Sequence, residues 1–581
     1  MKISFFLFFA FIISHITRAQ ETIFEKSNGL ETATYTEGIQ FYKKLAEKYS
    51  SVKLKPIGLT DSGSPLHLVT WTKKGASFNS KNTPDQIKIL INNAIHPGEP
   101  DGVEASMALI RDLANGKISF AGLENIVIGV VPFYNIGGVL NRNGNSRVNQ
   151  NGPLEHGFRG NSRNYDLNRD FIKMDSRNAE SFSKIFHGFN PDIFVDTHVS
   201  NGADYQYTLT IIETQKDKIG KPLGHFIHHD MTPKLISKLE KEGVLSVPFV
   251  NIYGRAPDEG YPQFMDYPRY SSGYASLFNV ISFMTEAHML KPFEQRVKAT
   301  YEFLRQLIFY SSDHLKKIKA ARQAQIDAGL QADSLPTDWS LNRKDFEEIN
   351  FKGYEAEYRN SPVTDTKQLY YNQNNPFEKD IPYYTDYEPK NYRHIPEYYI
   401  VPEAWFSSIK AQMDHNQIIY KSLSSDSLFK VVAYRIESYE TYNSPYEGHY
   451  PHYNTEVREE IVEKSFKKGS ILISTRQNGL KYIFYCLEPE TTDSYFNWNF
   501  FDTILQRKEY FSSYVFDLLA SEILRENPNL KMRFEEKKAT DSSFKASSNQ
   551  QLDFIYKNSV YYEDSHLLYP VFKSVSGKVN K

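Results

Sequence analysis

Four side chains that can bind a metal or move a proton follow apolar stretches in this chain. His96 and Glu99 lie three residues apart in a turn rich in glycine and proline, within NNAIHPGEPDGVEASMALIRDL. His198 ends the segment DIFVDTH, and Glu286 ends the segment NVISFMTE. Two histidines and one carboxylate form a common catalytic zinc set that keeps a fourth position for water. A further glutamate nearby can take the proton of that water as a general base.

The apolar stretches before these residues have the composition of buried strands. The four stretches are residues 87–95, 125–135, 192–198 and 279–287. Segments with helical spacing alternate with them, at residues 36–49, 102–114 and 292–328. The alternation predicts an α/β domain with a mixed, largely parallel central sheet and flanking helices. Because functional residues of such sheets lie at the carboxyl ends of the strands, we expect the four side chains to converge there.

Each of these residues also has a purely structural interpretation. A histidine after a strand is often a buried hydrogen-bonding group, and Glu286 alone is consistent with an ion pair. A His-x-x-Glu pair arises by chance in a chain with 16 histidines. The combination at strand ends is therefore the feature that favours a metal site.

An arginine- and asparagine-rich segment, residues 141–171, lies between the second and third predicted strands. It reads NRNGNSRVNQNGPLEHGFRGNSRNYDLNRDF and contains few acidic residues to balance its arginines. One interpretation is a solvated loop made of turn-forming residues. The other is an anion site, since guanidinium groups bind carboxylates with two hydrogen bonds and stabilise developing negative charge.

The order of these motifs resembles the zinc metallocarboxypeptidase family. The resemblance rests on His96-x-x-Glu99, RVNQNG, YDLNRDF, DTHVSNG and MTEAH, with an opening segment at residues 52–71. It covers about residues 34–310. The resemblance implies that His96, Glu99 and His198 bind one Zn2+ per chain and that Glu286 is the general base.

The same resemblance implies how a substrate is held. Asn168 and Arg169, in DLNRD, correspond to the pair that grips the terminal carboxylate of a peptide. Arg147, in RVNQNG, corresponds to the arginine that supports the oxyanion, with Arg142 as the fallback. The implied substrate is a peptide with a free C-terminal carboxylate.

Three departures from the family pattern concern substrate binding. Gly98 stands before the glutamate ligand, where many relatives have an arginine, and residues 153–165 form an additional loop segment. The tyrosine that caps the substrate has three candidates, Tyr267, Tyr270 and Tyr274, of which Tyr270 is preferred. These differences affect the identity of the substrate more than the zinc chemistry.

Composition limits the other functions open to this chain. A formal net charge of −2 over 581 residues gives no basic field for nucleic acid. The single cysteine, Cys486, rules out an intrachain disulfide. Residues 1–19 have the n-region, apolar core and small-residue cleavage site of a signal peptide, which predicts a secreted or periplasmic protein. We expect no membrane span, because no stretch approaches ~20 apolar residues.

The composition changes after about residue 330. We expect a catalytic domain at residues 20–330 and a β-rich C-terminal domain at residues 331–581, whose segment 370–400 is dense in tyrosine. Residues 469–490 predict a β-hairpin around Asn478-Gly479. The tyrosine-rich region either packs against the catalytic domain or binds a glycan or peptide.

The preferred function is a secreted zinc carboxypeptidase that hydrolyses the C-terminal amide bond of peptides. The alternatives are a hydrolase of peptidoglycan stem peptides or N-acyl amino acids, and a non-catalytic secreted protein that binds glycans or peptides. His225, His228 and His229 form a second metal cluster if they are helical, although a solvated surface patch is the preferred interpretation. His-Glu-x-x-His and Gly-x-Ser-x-Gly signatures are absent from the sequence.

Overall fold

The computed structural model describes residues 20–74 and 83–575. The predicted signal peptide at residues 1–19 lies outside the described residues. The chain forms two compact units. Unit 1 extends to Ala332 and also contains Trp339–Lys390 and His415–Gln417. Unit 2 contains Asp333–Asp338, Asn391–Asp414 and the residues from Ile418 onward.

Unit 1 is built around a mixed central sheet, as the sequence predicts, and this sheet has eight strands. The strands up to the passage between the units are β1 (Val52–Leu59), β2 (Pro65–Trp71), β3 (Ile87–Asn92), β4 (Ile126–Val131), β5 (Ile193–Ser200), β6 (Leu209–Glu213), β7 (Ser246–Pro248), β8 (Tyr261–Pro262), β9 (Ile281–His288), β10 (Ser334–Leu341), β11 (Glu347–Asn360), β12 (Lys367–Tyr384) and β13 (Tyr387–His394). The sheet order is β1-β2-β4-β3-β5-β9-β6-β7. Strands β4, β3, β5 and β9 are parallel neighbours. The pairs β1/β2, β2/β4 and β6/β9 are antiparallel, and β7 is parallel to β6.

The four predicted strands are confirmed as β3, β4, β5 and β9. Every residue of β3, β4 and β5 is buried, which is consistent with the apolar runs from which these strands are predicted. Because these strands are parallel, the segments that follow β3 and the ends of β5 and β9 meet at one edge of the sheet. This edge carries the candidate site.

Helices pack on the central sheet and complete the large hydrophobic core of unit 1. They are α1 (Ile23–Lys26), α2 (Tyr35–Lys48), α3 (Asp101–Ala114), α4 (Ile136–Leu140), α5 (Arg177–Phe189), α6 (Lys216–Ile219), α7 (Lys221–Phe226), α8 (Thr232–Lys241), α9 (Ser271–Ser276), α10 (Phe293–Asp313) and α11 (Leu315–Gln331). Short 3-10 turns occur at Leu123–Asn125, Leu167–Arg169 and Pro257–Glu259, and a π-helical turn occurs at Ile227–Met231. The single helical stretch predicted at 292–328 is two helices, interrupted at His314.

The long strands β11 and β12 belong to unit 1, although the sequence places them in the second domain. With β8 they form a separate three-stranded sheet. Phe351 and Ile381 share a core with Tyr205, Tyr207 and Tyr261. The predicted single boundary after residue 330 therefore differs from the observed division, in which the chain leaves unit 1 after Ala332 and returns to it at Trp339. Strands β10 and β13, on which the chain passes between the units, pair with each other.

Unit 2 contains a six-stranded sheet and a group of helices. Its strands are β14 (Tyr398–Val401), β15 (Tyr420–Ser422), β16 (Ser427–Thr441), β17 (His452–Phe466), β18 (Ile471–Ser474) and β19 (Phe572–Ser574), in the order β15-β18-β14-β19-β16-β17. Its helices are α12 (Glu403–Phe406), α13 (Lys410–His415, ending in unit 1), α14 (Leu480–Leu487), a 3-10 turn at Asp502–Leu505, α15 (Ser513–Glu526), α16 (Pro528–Thr540), α17 (Ser542–Lys545) and α18 (Ser548–Lys557). The β-rich character predicted for the C-terminal region is confirmed.

The predicted hairpin at Asn478-Gly479 is wrong. Strand β18 ends at Ser474, and the following run Leu480–Leu487 is helix α14. Gly479 has φ −84°, whereas a type I′ hairpin turn needs positive φ at both central residues. All eight residues of α14 are buried. An apolar run buried on every side has no polar face, so its periodicity cannot distinguish a strand from a helix.

Among the described residues, no helix is long and apolar enough to cross a bilayer.

Candidate active site

Three metal-competent side chains meet at the carboxyl edge of the unit 1 sheet. His96 and Glu99 come from the turn between β3 and α3, and His198 is in β5. Nδ1 of His96 lies 3.2 Å from Nδ1 of His198 and 3.2 Å from Oε1 of Glu99. Nδ1 of His198 lies 3.2 Å from Oε2 of Glu99. All three side chains are buried, so the group is a compact set of two nitrogens and one carboxylate.

A carboxylate outside this group orients each histidine. Nε2 of His96 lies 2.9 Å from Oδ1 of Asp166, and Nε2 of His198 lies 3.0 Å from Oδ2 of Asp196. A neutral imidazole that donates from Nε2 keeps the lone pair on Nδ1. Both lone pairs then point into the same space beside the Glu99 carboxylate. Metal-binding histidines are usually oriented in this way, so the donor set fits a zinc ion.

The charge of Glu99 is stabilised from two sides. Its Oε1 lies 2.8 Å from Nη1 of Arg147, and its Oε2 accepts a hydrogen bond of 2.8 Å from the backbone N–H of Val199. Burial opposes ionisation, but Arg147 and the two histidines hold the pKa of Glu99 well below its ordinary value. Glu99 is therefore a carboxylate at neutral pH, the form that binds a metal.

Glu286 lies beside the group because of the strand register. In the parallel pair β5/β9, Glu286 is the register partner of His198. Burial raises the pKa of Glu286 to about 7, while the nearby His198 acts in the opposite direction. A carboxyl group with a pKa near neutrality can both accept and return a proton, as a general base and acid must.

Arg147 reaches Glu99 through space that Gly98 leaves open. A Cβ atom at residue 98 would lie 2.4 Å from Cδ of Arg147. The Arg147 side chain is held by a 2.7 Å hydrogen bond from its Nε to Oε1 of Gln150. Gln150 in turn donates to the carbonyl of Gly98 at 2.8 Å. The glycine that departs from the family pattern is thus the residue that admits Arg147 to the site.

The fallback arginine lies elsewhere. Arg142 donates hydrogen bonds to the backbone carbonyls of Thr32, at 3.2 Å, and Glu155, at 3.0 Å. Arg142 does not line the cavity, whereas Arg147 does, so of these two arginines Arg147 is the one that faces the candidate ligands.

Asn168 and Arg169 stand together on the 3-10 turn Leu167–Arg169. Oδ1 of Asn168 accepts a 3.0 Å hydrogen bond from the backbone N–H of Ser271, which leaves its NH2 group as the donor. The guanidinium of Arg169 lies 4.6 Å from the ring centre of Tyr270. All three side chains line the same cavity as His96 and Glu286.

The candidate capping tyrosines occupy different environments. Tyr274 is fully buried and donates a 2.6 Å hydrogen bond to Asn416, so its ring is part of the core. Tyr267 does not line the cavity, whereas Tyr270 does. Tyr253, which sequence reasoning missed, also lines the cavity and is 62% exposed. Tyr253 lies in the irregular segment between β7 and the 3-10 turn Pro257–Glu259. It is more exposed than Tyr270, the other tyrosine at the cavity.

The cavity that joins these residues has a volume of about 590 Å3. One wall is polar and includes Arg147, Asn168 and Arg169. Another part is apolar and is formed by a small cluster of Ile212, Phe249, Phe264 and Met284. The site therefore combines charged groups with a pocket suited to an apolar side chain.

Sequence reasoning also missed Asp166, Asp196 and Arg159. Asp196 had a readable signal, since residues i and i+2 of a strand face the same side and it stands two positions before His198. Arg159 had none, because it comes from the additional loop. Its Nη2 lies 2.8 Å from Oδ2 of Asp166, and its Nη1 lies 3.6 Å from Oε1 of Glu99.

Known proteins resemble this chain in both sequence and structure. The crystal structure of carboxypeptidase A from Helicoverpa armigera is similar with a TM-score of 0.36 and 12% identity, covering 50% of this chain and 74% of that one. Carboxypeptidase 2 of Trichophyton rubrum is 21% identical over 493 residues, 81% of this chain and 84% of the relative. Carboxypeptidase 2 of Trichophyton equinum is 25% identical over 174 residues, 30% of each chain. The zinc carboxypeptidase family model matches residues 38–207. Residues 38–207 therefore match the zinc carboxypeptidase family, and this match together with the curated relatives indicates a zinc metallocarboxypeptidase.

Proposed function

We propose that this enzyme hydrolyses the C-terminal amide bond of peptides, with one zinc ion per chain and Glu286 as the general base. The observation that carries the proposal is the convergence of Nδ1 of His96, Nδ1 of His198 and the Glu99 carboxylate beside Glu286. A zinc ion held by those three side chains would polarise the substrate carbonyl and lower the pKa of a water molecule toward ~7.

Glu286 performs the proton transfers in this proposal. It accepts the proton of the attacking water and then delivers that proton to the amine that leaves. The raised pKa of Glu286, about 7, suits both steps, because neither the acid nor the carboxylate is strongly preferred near neutral pH. The register of β5 and β9 keeps the Glu286 carboxyl group beside His198, and therefore close to the reacting atoms.

Three polar side chains hold the substrate. Arg169 and the NH2 group of Asn168 bind the terminal carboxylate, which restricts cleavage to the last residue of a peptide. Arg147 carries its positive charge to the edge of the metal-competent group and stabilises the negative charge that develops on the carbonyl oxygen. Tyr253 and Tyr270 are the aromatic side chains that can close over the bound residue.

The apolar part of the cavity sets the preferred side chain. Ile212, Phe249, Phe264 and Met284 offer no charged partner to a lysine, arginine or aspartate side chain. Burial of an aliphatic or aromatic side chain there removes apolar surface from water, at roughly 25 cal/mol per Å2. The preferred substrates are peptides that end in an apolar residue.

The proposed location is outside the cytoplasm, on the basis of the signal-peptide pattern at residues 1–19. Mass spectrometry of the protein recovered from the expressing cells tests this. Export predicts a mature N-terminus at Gln20, whereas a retained Met1 in the recovered protein contradicts it.

The reaction is tested with matched peptides that have a free or an amidated C-terminus. We expect release of the last residue from the free peptide only, loss of activity after chelation, and recovery with Zn2+. The panel also contains peptidoglycan stem peptides and N-acyl amino acids, which distinguish the alternative substrates. Equal cleavage of the free and amidated peptides would contradict terminal-carboxylate recognition, and activity that survives complete metal removal would contradict the zinc mechanism.

A further inference from the structure

A second group of metal-competent side chains lies in unit 1, away from the cavity described above. His228, His229 and Glu347 bring two ring nitrogens and one carboxylate oxygen within 4.8 Å of one another. His228 is buried, whereas His229 and Glu347 are exposed. The group joins the π-helical turn Ile227–Met231 to the first residue of β11.

The π-helical turn places two consecutive histidines side by side. The rings of His228 and His229 have centroids 4.7 Å apart. Single π-helical turns are rare and occur frequently at functional sites. This turn lies between α7 and α8, so its wider backbone interrupts an otherwise continuous helical segment.

His228 has the same kind of outer carboxylate as the two histidines of the candidate active site. Its Nδ1 is hydrogen-bonded to Oε1 of Glu213, and the Glu213 carboxylate also accepts hydrogen bonds from Thr232 and Gln263. This buried network fixes the ring, and Nε2 lies 2.7 Å from Oε1 of Glu347. A carboxylate on one ring nitrogen that directs the other nitrogen toward a common point is typical of metal-binding histidines.

We propose that His228, His229 and Glu347 form a second divalent-cation site, suited to Zn2+, with Glu213 as the outer partner of His228. Two nitrogens, one carboxylate oxygen and a water molecule complete a tetrahedral zinc site. Two ligand atoms around zinc stand about 3.4 Å apart. The exposed Glu347 side chain needs only a small movement from its 2.7 Å contact to reach this separation.

The site is accessible to an ion and its carboxylate is already positioned. His228 and Glu347 line an open cavity together with Tyr207 and Ile349. Glu347 also accepts a 3.1 Å hydrogen bond from Oγ1 of Thr385. A bound ion would tie the π-helical turn to the β11/β12 sheet and would stabilise unit 1 by mass action.

The competing interpretation is an ion pair in which a protonated His228 bridges Glu213 and Glu347. Both interpretations supply positive charge between two carboxylates, but only the proposed site binds zinc. A direct measurement of bound metal therefore separates them.

The test counts zinc in the purified full-length protein after chelator treatment and re-equilibration with Zn2+. His96→Ala removes a ligand of the first site, so the second site is counted alone in that background. Glu347→Gln and His229→Ala alter exposed ligands and leave the buried His228–Glu213 pair intact. Glu348→Gln, also exposed and adjacent on β11, is the matched control.

We expect about two zinc ions per wild-type chain and about one in each single variant, His96→Ala, Glu347→Gln or His229→Ala. His96→Ala combined with Glu347→Gln should bind none, and Glu348→Gln should match the wild type. Zn2+ should also raise the Tm of His96→Ala but not that of the combined variant. A single zinc in the wild type that is lost in His96→Ala would overturn the proposal and favour the ion pair. A second zinc unaffected by Glu347→Gln and His229→Ala would also overturn it. A zinc count unchanged by His96→Ala would instead count against the proposed active site.

Discussion

His198 and Glu286 are register partners on adjacent parallel strands, so the backbone hydrogen bonds of the sheet set their separation. The candidate metal ligand and the candidate base are thus placed by the strand pairing of the central sheet. A carboxylate on a loop would need additional contacts to keep the same position. Because the strand register places Glu286, we expect that its side chain can be changed to Gln without moving His198.

Replacing Glu286 with Gln should abolish proton transfer and leave metal binding intact. The amide has nearly the same shape but cannot accept the proton of the attacking water, and general-base catalysis typically contributes 10²–10⁴-fold. We expect kcat to fall by about that factor with little change in KM or zinc content. Steady-state kinetics and metal analysis of the same preparation check this. Activity within a few-fold of wild type would exclude Glu286 as the base.

Asp166 should control the affinity of the site for its metal. Its hydrogen bond to Nε2 of His96 fixes the tautomer that presents Nδ1. Asp166→Asn weakens this orientation, and the loss of such an outer partner typically costs 10–100-fold in metal affinity or activity. Competition with a zinc-binding dye measures the change. Asp175→Asn, a carboxylate of the same region that pairs with Lys173, is the control and should retain wild-type affinity.

Tyr253 should contribute to substrate binding, although it lies on an irregular segment. It is 62% exposed at the cavity, and its segment between β7 and the 3-10 turn lacks regular backbone pairing. Removing the ring with Tyr253→Ala should raise KM for peptides, by several-fold to 10-fold if the ring buries apolar surface over the bound residue. Tyr253→Phe separates the hydroxyl from the ring. A normal KM in Tyr253→Ala, with a raised KM in Tyr270→Ala, would assign the closing role to Tyr270.

The sequence predicts the central sheet well because its strands carry an unambiguous physical signal. Strands β3, β5 and β9 each contain a run of buried apolar residues, and the polar residues in or just after their carboxyl-terminal parts must emerge at one sheet edge. His96, Glu99, His198 and Glu286 could be proposed for this reason. The helix α14 could not be predicted, because a fully buried apolar run such as Leu480–Leu487 fits a strand equally well.

Sequence patterns could not identify the site residues that lie on irregular segments. Arg159 reaches Glu99 and Asp166 only because the additional loop folds back over the site. Tyr253 is distinguished from Tyr274 by burial, which depends on how the whole segment from β7 to β9 packs. The return of β11 and β12 to unit 1 depends on long-range contacts between Phe351 and the tyrosines of the smaller core. None of these relationships produces a periodic pattern in the local sequence.

His187 should make unit 1 lose stability in mild acid. Burial lowers the pKa of His187 to about 4, with the hydrogen bond to Asn416 acting in the opposite direction. The partly buried ring also lies 3.0 Å from the hydroxyl of Tyr274. An unfolded histidine has a pKa of about 6.5, so as the pH falls below that value the unfolded chain takes up the proton first. The contribution of neutral His187 to the free energy of unfolding is therefore fully present above about pH 6.5 and is lost progressively as the pH falls toward 4.

The expected loss from this one group is about 1–2 kcal/mol between pH 8 and pH 5. His187→Gln removes the titrating ring but keeps a polar side chain, so the variant should be less stable at pH 8 and should lose less on acidification. Calorimetric Tm values of both proteins at the two pH values measure the difference. His394→Gln, at an exposed position, should keep the wild-type pH dependence. If wild type and His187→Gln lose stability in parallel, another group is responsible for the acid sensitivity of unit 1, because a buried neutral His187 requires the two curves to converge as the pH falls.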